Sequence, residues 1–353
     1  MTPLDSNITV RLADHKDRQQ WDTYVLSHPE ASPYHLFAWK IAIEEAYGHC
    51  CYYLYGEVKG HLVGILPLVH IRFPGVVNEL SALPYCDIGN CLCDSDPVQD
   101  ALLRKALNLQ KELGSRRLSL RGQLKETELK NVLFHGEDTG KVRMLLELPS
   151  SSCDLFAGFK SKLRSQIHKA EKNGISFIWG GIDDLDDIYT VFSRNMHDLG
   201  SPVHSKGWLK CVMTHYSQRV KVGLVRFEDK TVGMGVILLG GHSVSIPWAS
   251  TLREYNHLGP NMLLYWRLLE FSVENGFKCF DFGRSTEHEG TYRFKRQWGA
   301  EPKPLVWYVL AGAKNIHPSC PFSIKSMILA LWRKTPLAVA NTLGPRLRKF
   351  ISL

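Results

Sequence analysis

The stretch Glu289–Pro302, EGTYRFKRQWGAEP, sets Arg293, Lys295 and Arg296 among Tyr292, Phe294 and Trp298. A loop without a task is built mostly from Gly, Ser, Asn and Asp. Cations interleaved with rings have other uses. Planar guanidinium groups grip carboxylates and phosphates, and aromatic faces exclude water and stack on bases or sugars. The stretch follows KCFDFGRS, an apolar alternation that carries Asp281 and ends in Gly283 and Arg284, and so reads as a buried strand. The plainer alternative is structural: Tyr292, Phe294 and Trp298 pack under a loop while the cations face water.

A second group of cations lies upstream. Phe156, Phe159, Leu163, Ile167 and Ala170 follow helical spacing and predict one helix from about Asp154 to Asn173, capped by Gly174. On that helix Lys160, Arg164, His168 and Lys172 recur four apart as a basic stripe. Like charges at this spacing cost a few tenths of a kcal/mol per pair. The stripe fits either a phosphate-binding face or a solvated one.

These groups need elements to hold them, and an internal repeat supplies the plan. Trp39, Tyr47 and Gly64 recur as Trp208, Tyr216 and Gly233, each 169 positions on. FAWKIAIEEAYG and GWLKCVMTHYS both read as helices, and each is followed by a hairpin pattern of two β-rich runs around a polar turn. Later, ALLRKALNLQKELGSRRLSL and NMLLYWRLLEFSVENGFKCFDF both read as a helix, a glycine cap at Gly114 or Gly276, and a strand. A duplicated α/β unit follows, with residues 1–150 and 151–313 as the two domains, divided at the Pro149 and serine stretch.

The remaining residues, 314–353, form a basic tail. No Asp or Glu occurs after Glu301, and eight Lys and Arg do. The other 35 Lys and Arg balance 35 Asp and Glu, so the tail holds the whole excess of +8. A neutral body argues against a nucleic-acid grip by the body itself. Ile324, Met327, Ile328 and Leu331 share one helical face beside Trp332. Such a helix suits an anionic inner-membrane surface, or docks on the body. No apolar run reaches the roughly 18–20 residues of a membrane-spanning helix. The N-terminus does not read as a secretory signal, and nine cysteines without one point to a reducing, cytoplasmic setting.

Read together, the repeat, KLRSQIHKAEKNGI, DLGSPVHSKGWLK and FDFGRSTEHEGTYRFKRQWGAEP resemble the FemAB family. The resemblance is nearest to the FemAB-related proteins of PEP-CTERM and exosortase exopolysaccharide systems, and covers most of residues 1–310. It implies two tandem GNAT-like acyltransferase domains, and transfer of an acyl or aminoacyl group to an amine of a cell-envelope or exopolysaccharide precursor. Better-studied relatives take aminoacyl-tRNA as donor. The resemblance puts Phe294 and Lys295 at the catalytic centre. Lys295 then stabilises the oxyanion or a terminal phosphate, with Phe294 holding its ammonium by cation–π attraction. The sequence leaves the base open: Asp281 on the strand is one candidate, Glu287, His288 and Glu289 on the following loop are others, and substrate or water could serve instead. Arg284, Arg293, Arg296, Tyr292 and Trp298 are expected at the substrate, with Lys160, Arg164 and His168 on donor phosphates. CDIGNCLC matches a loop near the acceptor in relatives, where Asp87 could hold an amine; Tyr34 and His35, just before the first repeat helix, are equal candidates.

No serine or cysteine triad, Walker motif or dinucleotide motif stands in the right context, which favours direct transfer and implies no cofactor beyond the donor, aminoacyl-tRNA or acyl-CoA. The turn LGPN replaces a Gly-rich phosphate loop, and Pro260 has no N–H, which counts against acyl-CoA. Asn261 is the expected helix cap there. Cys86, Cys91 and Cys93 lack the spacing of a zinc site and read as buried thiols. Two rival readings remain: acyl-CoA-dependent N-acylation of an amino sugar, and a non-catalytic scaffold of the polysaccharide machinery.

Overall fold

The computed structural model describes residues 8–310 and 331–352. The first elements are β1 (Ile8–Leu12), α1 (Arg18–Ser27), α2 (Phe37–Tyr47), β2 (Cys50–Val58), β3 (His61–Phe73), β4 (Val77–Ala82), β5 (Leu92–Cys93), α3 (Asp96–Glu112), β6 (Arg117–Arg121), α4 (Glu128–Leu133) and β7 (Phe134–Glu147). Then come α5 (Ser152–Gly158), α6 (Ser161–Lys172), β8 (Ile175–Gly180), α7 (Leu185–Asp198), α8 (Lys206–Tyr216), β9 (Val220–Phe227), β10 (Lys230–Leu239) and β11 (Ser243–Thr251). The last are α9 (Pro260–Glu274), β12 (Cys279–Ser285), α10 (Gly290–Arg296), β13 (Glu301–Leu310) and α11 (Leu337–Arg348).

The chain divides into two compact units. Described residues 8–141, 304–310 and 350–352 make the first, and 142–303 and 331–349 the second. This differs from the linear division expected at 150/151. The changeover falls inside β7, between Lys141 and Val142, and β13 returns to the first unit from Pro304. A polar stretch marks where a helix starts. It does not mark where a 14-residue strand changes partners.

The first unit orders its strands β1-β2-β3-β4-β6-β13, with β5 beside β3. Its core gathers Leu54, Leu66, Leu80, Leu102, Leu118 and Leu120. The second unit runs β7-β12-β11-β10-β9-β8, with Val225, Val232, Leu264, Leu268 and Phe280 in its core. The repeat is visible in both. Trp39 on α2 and Trp208 on α8 are each 0% exposed. Gly114 and Gly276 close α3 and α9 with positive φ (59° and 77°), then β6 or β12 follows. Gly64 lets its hairpin approach α3, since a Cβ there would lie 2.5 Å from Val98 Cγ1.

Two local expectations change. The single helix over 154–173 is two helices, because Phe159 and Lys160 are extended (ψ 145° and 144°) between α5 and α6. Gly158, a poor helix former, precedes the break. The apolar face survives it: Phe159, Leu163, Ile167 and Ala170 are buried. In the tail, Ile324, Met327 and Ile328 lie outside the described residues. The described part docks on the body. Ala340 and Gly344 of α11 are buried, Asn341 Nδ2 donates to Ser193 Oγ, and Ser352 O accepts from the Tyr85 N–H at 2.7 Å. No helix among the described residues is long and apolar enough to cross a membrane.

Candidate active site

The site is built on β12. This strand pairs parallel with β11 over three residues, Ser243↔Cys279, Val244↔Phe280 and Ser245↔Asp281. Beyond Ser245 and Asp281 the two strands part. β11 stays with β10 as far as Thr251↔Gly233, and β12 stays with β7 as far as Ser285↔Val142. Pro247 stands at the parting and has no N–H for a ladder. A wedge opens between two parallel strands whose facing backbone edges are no longer paired to each other.

A bulge lies at the wedge. Phe282 and Gly283 of β12 stand opposite Met144 alone on β7, because the register shifts between Asp281 and Arg284. Gly283 has φ 72°, a conformation that side chains disfavour. Asp281 builds this turn. Its Oδ1 accepts from the Gly283 N–H at 2.8 Å, and its Oδ2 accepts from Arg143 Nε at 2.8 Å and Ser245 Oγ at 3.4 Å. The residue is 3% exposed. With both oxygens engaged, its carboxylate holds the backbone of the bulge.

The strand beyond Asp281 meets α10. Lys295 Nζ donates to Gly283 O at 3.2 Å and Arg284 O at 2.7 Å, and Lys295 is buried. The sequence favours α10 because Arg293, Lys295 and Arg296 fall in its last turn, near the negative end of the helix dipole. Gly299, at φ 91°, closes it. The predicted partner of Lys295, Phe294, serves chiefly as wall. Its ring lies 4.9 Å from Tyr265 and 6.2 Å from Trp298. Neighbouring residues on a helix diverge by roughly 100°, so Phe294 and Lys295 leave in different directions. Tyr265 stacks on Phe282 at 5.7 Å, and burial pushes its hydroxyl pKa up, so it stays protonated. Ser285 Oγ and Trp298 Nε1 are buried without a hydrogen-bond partner among the described residues.

The remaining predicted residues of the second unit are dispersed around this core. Arg284 and Arg293 are exposed, and Tyr292 is half-buried with its ring 5.7 Å from His288. Arg296 turns to Glu301 Oε2 (2.5 Å) and Ala300 O (3.3 Å). Trp298 is 1% exposed and packs as core, so it offers no face on which a substrate ring could stack. The α5–α6 junction reaches the cluster through Phe159, whose ring lies 5.4 Å from Trp298. Lys160 and His168 are exposed and Arg164 half-buried, with His168 Nδ1 3.5 Å from Glu171. Asp87 belongs to the first unit and is half-buried. His35, also there, is fully buried and bonded through Nδ1 to Ser32 and Nε2 to Asn90 O, a structural arrangement.

Asn261 is not the cap of α9. Gly259, at φ 83°, takes that place, and Pro260 is the first helical residue. Cys86, Cys91 and Cys93 are buried thiols. No cluster of three or more His, Cys, Asp or Glu suited to a metal occurs among the described residues. Arg143, Ser245, Tyr265 and Ser285 went unremarked in the sequence. Arg143 alone had a signal, as a cation inside the apolar run VRMLLEL.

An acetyltransferase (GNAT) domain family matches residues 157–296, within the second unit. Among curated proteins, none matches the sequence. Among solved structures, FemX superposes with TM-score 0.69 at 13% identity, covering 85% of this chain and 96% of its own. A tandem GNAT protein from the clavulanic acid biosynthesis pathway gives TM-score 0.55 at 11% identity, with 87% and 99% covered. The C-terminal domain (DUF2156) of an Agrobacterium fabrum protein assigned as a lysylphosphatidylglycerol synthetase gives TM-score 0.58 at 11% identity, with 90% and 96% covered. The chain therefore carries a GNAT-like acyltransferase fold, a mixed α/β architecture with a GNAT domain in its second unit and a helical C-terminal end.

Proposed function

We propose that the chain transfers an acyl or aminoacyl group directly to an amine of a cell-envelope or exopolysaccharide precursor. The observation that carries this is the buried ammonium of Lys295, fixed on two carbonyls of the β12 bulge beside an unpaired wedge. Either donor would bring its carbonyl to this wedge; the amide-bearing arm of an acyl-CoA would also have strand edges to pair with along β11 and β12, an observation on the side of that donor. The acceptor nitrogen attacks the donor carbonyl and a tetrahedral oxyanion forms. The carbon–oxygen or carbon–sulfur bond to the leaving group then breaks, and the nitrogen's proton passes to that group or to water. A preset cation in a site poor in water lowers the barrier to this oxyanion. Asp281 acts by holding the bulge. Arg284 and Arg293, exposed on the same strand and helix, are placed for anionic parts of a substrate.

Aminoacyl-tRNA is the favoured donor. Pro260 removes one N–H from the start of α9, where a pyrophosphate would bind in acyl-CoA enzymes. The GNAT domain match supports the other donor, acyl-CoA, with N-acylation of an amino sugar as its reaction. Melting the purified chain with each donor separates the two. A donor at one hundred times its dissociation constant adds about 2.7 kcal/mol. A shift with aminoacyl-tRNA alone supports aminoacyl transfer, and a shift with acyl-CoA alone moves the reaction to N-acylation. No shift with either, and a biological role unaffected by Lys295→Met, would leave the scaffold reading in its place.

A further inference from the structure

Helix α11 has two apolar faces. The inner one holds it to the second unit: Ala340 and Gly344 are buried, and a Cβ on Gly344 would lie 3.1 Å from Val203 N and 3.5 Å from the Trp332 ring. The outer one is Val339, Leu343 and Leu347, spaced four apart and 42%, 43% and 49% exposed. An ordinary surface helix would turn polar residues outward here. Leu331 (59%) and Leu199 (55%) are exposed too, and Leu199 O accepts from Arg333 Nη2 at 3.2 Å. Arg333, Lys334 and Arg346 are exposed around these residues. No Asp or Glu occurs anywhere after Glu301.

We propose that the outer face of α11 lies on an anionic lipid bilayer. Val339, Leu343 and Leu347 enter the interface, while Arg333, Lys334 and Arg346 meet lipid phosphates. Three features select this occupant. The stripe is apolar, the charged residues of the tail around it are only basic, and the helix is already ordered by its inner face, so binding carries little ordering cost. A second copy fits less well. A two-fold contact through this stripe would bring Arg346 and its flanking cations against their own copies. Membrane binding by this face is independent of what the active site transfers.

The test is co-sedimentation of the full chain with phosphatidylcholine vesicles, with and without a quarter of phosphatidylglycerol. The wild type should bind the anionic vesicles at least about tenfold more tightly, and lose that excess in high salt. Leu343→Glu with Leu347→Glu should weaken binding about a hundredfold and Arg346→Glu roughly tenfold, with melting unchanged because these side chains are exposed. Leu347→Ser, a milder change, should give a smaller loss in the same direction if the double variant fails to fold. A wild type that ignores anionic vesicles, or a folded double variant that binds like it, overturns the proposal. So does a wild-type dimer that the double variant splits, with no vesicle binding by either.

Discussion

β6 in the first unit and β12 in the second stand at the same point of the repeat. Each pairs parallel with an earlier strand over three residues, β6 through Glu79↔Arg117, Leu80↔Leu118 and Ser81↔Ser119. Past that segment the two units diverge. In the first, Arg121 is 1% exposed, and its Nη1 donates to Leu83 O (3.4 Å), Cys86 O (3.0 Å) and Ser352 O (2.9 Å). The Arg121 backbone also exchanges hydrogen bonds with Gly89 (2.7 and 3.1 Å). The strand edge is filled by a loop, and the cation is locked among carbonyls. In the second, the matching position is Gly283, which has no side chain to fill the wedge. The cation arrives instead from a separate helix, as Lys295, and meets two carbonyls of the bulge. A buried cation meets strand carbonyls in both units: in the first it is Arg121 of the strand itself, and in the second, where the strand has Gly283, it is Lys295 of α10.

The strongest way to break this comparison is Lys295→Met, which keeps bulk and removes charge. Transfer should fall about a thousandfold. Melting should drop only modestly, since two carbonyls lose one donor each. A rate within twofold of wild type would end the catalytic assignment and make the two cations structural equals. Next in size is Asp281→Asn. It leaves Arg143 beside a neutral amide and loosens the Gly283 turn, which should cost roughly 3 kcal/mol, on the order of 6–12 °C in melting. If Asp281 were the proton acceptor and little else, the melting point would hold and only the rate would fall.

Arg121→Met sharpens the contrast from the other side. It should destabilise by about 2 kcal/mol, because three carbonyls, those of Leu83 and Cys86 buried and that of Ser352 part-buried, lose a donor. The rate of transfer per folded molecule should not change. A large loss of rate there would mean that the first unit also takes part in the chemistry.

Much of this was readable beforehand. Tryptophans recurring at one offset, helices ending in Gly114 and Gly276, and strands after each gave the duplicated plan, because caps and hydrophobic periods are local properties. EGTYRFKRQWGAEP stood out by composition; of its rings Trp298 is core while Tyr292 and Phe294 are half-buried against it, and Lys295 is its least exposed cation. What stayed hidden was non-local. Asp281 finds Arg143 across 138 residues, and nothing in either segment announces the other. The turnover of β7 between units depends on strand partners, not on composition. The break at Phe159 and Lys160 was masked because the apolar spacing continues across it in phase.

The smallest expected effect is also the most discriminating, since it changes the bulge by one methyl group. Gly283→Ala places a side chain at φ 72°, which costs about 1–2 kcal/mol where the backbone cannot relax. That is roughly 2–8 °C in melting. Relaxation toward an ordinary strand would move the Gly283 carbonyl that receives Lys295, and so move the ammonium. The rate should therefore fall by about tenfold, a cost of misplacement rather than of lost charge. Gly122→Ala is the matched control in the first unit, at φ 110° and with a Cβ that would sit 3.2 Å from Asn90 Cβ. It should cost comparable stability and leave the rate alone. Equal losses of rate from both would show that general strain is being read. A loss confined to Gly283→Ala would tie the position of Lys295 to the glycine that distinguishes β12 from β6.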